Sequence, residues 1–152
     1  MNNTSPRPKR REARRLAMLA TFAQLCTSYS MDETLELLTT MNPQWAQLPD
    51  FTKELAKLVD SHRPQLEAEI QSVLEHWRLE RLGLVERSLL LLGAVEILHK
   101  ADIPPRVTIN EYLELAKLYA PDQAPAFING VLDKIVKKHG KPDFEIRSAR
   151  TP

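Results

Sequence analysis

Thr108 to Lys134 reads TINEYLELAKLYAPDQAPAFINGVLDK, and the spacing of its apolar residues decides the fold. Ile109, Tyr112/Leu113, Ala116 and Tyr119/Ala120 recur every three to four positions, which lines one face of a helix. Thr108 followed three residues later by Glu111 matches a capping box, so the helix is expected to start near Ile109. Pro121 disfavours helical geometry in Ala120, and Asp122 can cap a second start. The same spacing resumes at Ala124, Phe127/Ile128, Val131 and Ile135, predicting a second helix. Within it Gly130 costs roughly 1 kcal/mol against alanine, and a cost accepted there is expected to reflect close approach of another helix.

The rest of the chain repeats this logic. Its 152 residues suit one domain, and four glycines with 43% hydrophobic content favour helices over turn-rich sheet. Helices are expected from about Lys9 to Thr27, from Met31 to Met41 with Ser30 or Asp32 as cap, and from Asp50 through Val59. Pro64 is expected to open a further helix in which Leu66, Ile70, Val73/Leu74 and Trp77 share a face. Leu84 to about Lys100 is apolar around most of its circumference and is expected to be the buried centre. The expectation is an all-α fold of about seven helices: one domain over residues 9–140, a disordered basic tail over 1–8 and a flexible one over 141–152.

Composition narrows the function as well. The single Cys26 has no intramolecular disulfide partner, and His62, His76, His99 and His139 show no metal-ligand spacing, so no metal or other cofactor is expected. No apolar run approaches the ~20 residues of a membrane span, and no signal peptide is legible, so the expected location is cytoplasmic. No phosphate-binding glycine loop, zinc-protease motif or nucleophile elbow is present, and the Glu67/Glu69 and Glu111/Glu114 pairs read as solvated surface, so no enzyme is expected. Charge is segregated. Residues 1–15 hold six Lys/Arg against Glu12, a net of +5; residues 134–152 hold six against Asp143 and Glu145, a net of +4. The whole chain is +1, so residues 16–133 carry −8. Basic ends suit a polyanion and an acidic body suits a basic protein.

Arg10 and Arg14 fall one helical turn apart, as do Arg11 and Arg15, a row able to meet successive phosphates. Tyr119 and Phe127 flank the APDQAPA loop, where aromatic rings could stack unpaired bases, although core packing explains the same spacing. Glu86 and Arg87 open the central helix, and Phe22 and Cys26 lie one turn apart on the first.

Three segments in order, KRREARRLAMLATF, WRLERLGLVERSLLLLGAVEIL and INEYLELAK…FINGVLDK, together resemble the NusB family of bacterial antitermination factors over roughly residues 9 to 138. The resemblance implies two packed three-helix groups sharing a long central helix. It implies a protein that binds boxA-like single-stranded RNA together with NusE, a small-subunit ribosomal protein, and helps assemble an antitermination complex. Carried over, it places Arg10, Arg11 and Arg14 on RNA, with Tyr119 or Phe127 touching a base. Glu86 and Arg87 fall on the surface shared by RNA and protein, and Phe22 and Cys26 on the face for NusE. Arg15 and the Gln123 to Pro125 segment depart from the family pattern. A homodimer remains open, as do two other readings: a helical protein-interaction adaptor, and a detached domain related to the one that precedes certain ribosomal RNA methyltransferases.

Overall fold

The computed structural model describes residues 6–42 and 47–140, with side chains from Lys9 onward. Six α-helices follow one another: α1 (Pro6–Cys26), α2 (Met31–Met41), α3 (Asp50–Val73), α4 (Leu84–His99), α5 (Pro105–Tyr119) and α6 (Ala124–Lys138). A 3-10 turn at Leu79–Arg81 precedes α4. Among the described residues there is no strand. The expected tails fall largely outside the described residues, but α1 reaches back through positions 6–8. Prolines are tolerated there because first-turn N–H groups have no intrahelical acceptor in any case.

Two expected helices merge into α3. Pro64 cannot donate to Asp60 and crowds its carbonyl, so the axis kinks at His62 (φ −112°, ψ 17°) without ending. The described residues therefore hold six α-helices, close to the seven or so expected. That helix stops at Val73, so Trp77 leaves the apolar face expected of it and stands 59% exposed. At α2 the capping expectation is met: Ser30 Oγ accepts from the Glu33 N–H, and Glu33 accepts from the Ser30 N–H.

At 16 residues α4 is central rather than long, α3 having 24. Every residue from Ser88 to Ile97 is buried, and α4 packs against α1, α3, α5 and α6. It thus joins α1–α3 to α5 and α6 around one apolar core that includes Leu55, Leu66, Ile70, Leu89, Leu92, Ile128, Leu132 and Ile135. A smaller cluster of Leu16, Ala20, Met31, Leu35, Leu48 and Ala56 holds α2 to α1 and α3.

The glycine that permits close helix approach is Gly93, not Gly130. An added Cβ at Gly93 would lie 2.7 Å from Leu132 Cδ1, whereas one at Gly130 would meet nothing within 4 Å. Gly130 faces solvent, so helix approach does not account for it. Asp122 does not cap α6 either: Gln123 occupies the cap position, without a side-chain bond.

Candidate nucleic-acid interface

Arg10, Arg11, Arg14 and Arg15, the arginines of α1 whose side chains are described, have four different environments, because a helix turns each to a different neighbour. Arg14 points inward. Its guanidinium, 3% exposed, donates from Nε and Nη2 to Glu96 of α4 at 2.7 and 2.9 Å. Glu96 is fully buried and also accepts from Thr108 Oγ1 at 2.8 Å and from the Tyr112 hydroxyl at 2.6 Å. Burial, with the Glu96 carboxylate adding to it, pushes the Tyr112 phenol well above its ordinary range, while Arg14 opposes the shift. Enclosed in this way, Arg14 cannot present its charge to a phosphate, which corrects the expectation that placed it on RNA.

Arg11, one turn back, points outward. It donates from Nε and Nη2 to the Glu111 carboxylate of α5 at 2.9 and 3.0 Å, and remains 49% exposed while Glu111 is only 3% exposed. These contacts overturn the expected capping box. Thr108 and Glu111 are committed to Glu96 and Arg11, and α5 begins earlier, at Pro105, whose missing N–H costs nothing at a helix start. The reading of Glu111 as solvated surface fails for the same reason.

Arg10 lies over the Phe51 ring, its Cζ 4.2 Å from the centroid, and has no carboxylate partner among the described residues. Arg15 donates to Glu12 at 2.9 and 2.7 Å, and Glu12 first, then Tyr119, favour its charged form against the cost of burial. Tyr119, 44% exposed, is the last residue of α5, and Phe127 lies in α6 beyond the short loop.

Phe127 is half-buried. It lines two grooves that meet at its ring and at Trp77, one running past Leu82, Glu86, Pro121, Gln123 and Ala124 and the other along Val73, Gly130, Val131 and Lys134. Glu86 and Phe127 are therefore brought together, and Trp77, which the periodicity assigned to a helix face, joins them. Arg87 is half-buried, with its Nε enclosed and lacking a hydrogen-bond partner among the described residues. Phe22 is half-buried and Cys26 exposed on α1. At the other basic end, Lys134, Lys137 and Lys138 pair with Glu75, Asp133 and Glu69, which reduces the charge that end presents.

The structure thus defines a helical module with a basic first helix, and no helix of the described residues is long and apolar enough to cross a membrane. A profile of the NusB family matches residues 11–137. The transcription antitermination protein NusB of Desulfitobacterium hafniense is 38% identical over 141 residues, covering 88% of this chain and 92% of that protein. Its counterpart in Dehalococcoides mccartyi is 34% identical over 128 residues, covering 84% and 90%. Among solved structures, T. maritima NusB superposes with a TM-score of 0.77 at 31% identity, covering 90% of this chain and 96% of that one. A complex of the antitermination factors NusB and NusE with double-stranded RNA superposes at 0.76 with 26% identity, covering 86% and 98%. The chain belongs to the NusB family of transcription antitermination proteins.

Proposed function

We propose that this protein, acting in the cytoplasm, binds a boxA-like single-stranded RNA together with NusE and helps assemble an antitermination complex. The folded unit that does so runs from α1 to the end of α6 as one domain. The observation that carries the reading is the pair Arg10 and Arg11: one cation on Phe51 without a carboxylate partner among the described residues, the other half-exposed beside it on the same helix. Such a pair can neutralise backbone phosphates and makes binding depend on salt. Phe127, at the meeting of the two Trp77 grooves, supplies the ring for an unpaired base; Glu86 borders that contact, and Arg87 follows it on α4. Tyr119, exposed at the end of α5, is the other ring offered to a base. Phe22 and Cys26 lie on α1 where a protein partner can reach them, and the −8 body favours a basic one. The NusB–NusE complex with RNA among the structural neighbours supports the pairing of partners.

The test compares binding of matched and scrambled boxA-like oligonucleotides, with and without NusE. Tighter binding of the matched sequence, strengthened by NusE, is expected. Equal affinity for both sequences under both conditions would reduce the protein to a non-specific polyanion binder. Phe127→Ala is expected to cost about 1–3 kcal/mol of RNA affinity, the worth of one base stacked on an aromatic ring.

A further inference from the structure

Arg11 is held from behind. Of the five N–H donors on a guanidinium, one on Nε and one on Nη2 are spent on Glu111, which leaves the Nη1 edge without a partner among the described residues. The Glu111 carboxylate is 3% exposed and the Arg11 side chain 49%, so the acid lies on the protein side of the pair and the base on the solvent side. A two-point fork fixes both the position and the plane of the guanidinium, which a single contact would not. Glu111 is itself carried on α5, which packs directly against the buried α4. Its position is therefore set by the core and not by the surface.

From this geometry we infer that Glu111 is a positioning residue for RNA binding: its buried carboxylate presets the Arg11 guanidinium so that the free edge meets a backbone phosphate. The inference rests on the reading of Arg11 as a phosphate contact. Two effects of Glu111 oppose each other. Its negative charge repels the polyanion, but it also removes the rotamer freedom that a long side chain would otherwise lose on binding. The carboxylate is on the far side of the guanidinium from the phosphate, so the repulsion acts over the longer distance and the ordering effect dominates. Charge and positioning therefore predict opposite signs for the same substitution.

The experiment measures the affinity of a boxA-like single-stranded oligonucleotide for the full chain and for E111Q, R11A and the double variant R11A/E111Q. Thermal melting confirms that each is folded at the assay temperature. E111Q is expected to bind about three- to tenfold more weakly, the factor that ordering one long side chain is worth, although it has lost a negative charge. In the R11A background the same change is expected to have no such effect, a coupling that a merely structural role would not produce. Tighter binding by E111Q, or an equal loss with and without Arg11, would overturn the inference while leaving Arg11 as a contact. Unchanged affinity in R11A would instead remove the phosphate contact itself, and the inference with it. If E111Q does not fold, E111D replaces it: the charge stays but is drawn back by one methylene, so weaker binding that depends on Arg11 is expected, and unchanged affinity would overturn the inference.

Discussion

Glu96 and Arg14 form a fully enclosed ion pair between the centre of α4 and the first helix, at 2.7 and 2.9 Å with neither side chain more than 3% exposed. The pair is closed by Thr108 and Tyr112, so each carboxylate oxygen accepts two hydrogen bonds. A buried pair can be neutral in net stability against an apolar replacement, but removal of one partner leaves an uncompensated charge. Glu96→Leu alone is expected to cost about 3–5 kcal/mol in urea denaturation, and Arg14→Met/Glu96→Leu together much less. Additive losses in the double variant would show that the two do not act as a unit.

For RNA binding the arginines should separate. Arg10→Ala is expected to weaken binding and to reduce the slope of log affinity against log salt by about 0.7, the share of one single-strand phosphate. Arg14→Ala should act chiefly on unfolding, because its guanidinium does not reach solvent. A salt slope unchanged by Arg10→Ala would exclude that cation from the phosphate contacts.

The two helical glycines should respond oppositely to alanine. Gly130→Ala adds a methyl to open space within α6 and is expected to stabilise the protein by about 0.5–1 kcal/mol. Gly93→Ala drives its methyl to 2.7 Å from Cδ1 and 3.0 Å from Cδ2 of the fully buried Leu132, so overpacking of about 1–3 kcal/mol should exceed the helix-propensity gain. Melting temperatures of the two variants provide the measurement, and a rise for Gly93→Ala would show that α4 and α6 can separate cheaply.

Acid should loosen the junction of α3 and α6. A hydrogen bond from His139 Nε2 at 2.9 Å, and after it one from Lys138, holds the Glu69 carboxyl below the ordinary glutamate range against an opposing effect of burial. A carboxyl that is more acidic in the folded state contributes its stability above its unfolded pKa and loses it as pH falls through the lower folded value. Melting temperature is thus expected to drop below about pH 4.3 in the parent and to vary less there in Glu69→Gln. Parallel profiles for the two proteins would sink this assignment.

Helix content, the near-complete burial of α4 and the breaks at Gly83 and Pro121 were legible in the sequence because each follows from local periodicity or backbone chemistry. So was the basic first helix. The roles of individual charges were less legible. Glu96 left one trace, an acid inside the apolar run Leu89 to Leu98, which a buried pair explains better than a solvated helix face. Glu111 left a misleading one, since its spacing from Thr108 imitates a capping box that neither residue forms. Trp77 fell in step with Leu66 and Ile70, yet the helix ends before it.

The local pattern was enough to establish an all-α chain and its basic end, because apolar spacing and proline geometry act within a few residues. Tertiary structure alone decided which arginine holds the fold and which faces outward. Arg10, Arg11 and Arg14 have the same chemistry, and their roles diverge because Phe51, Glu111 and Glu96 approach α1 from positions 41, 100 and 82 residues away in the chain.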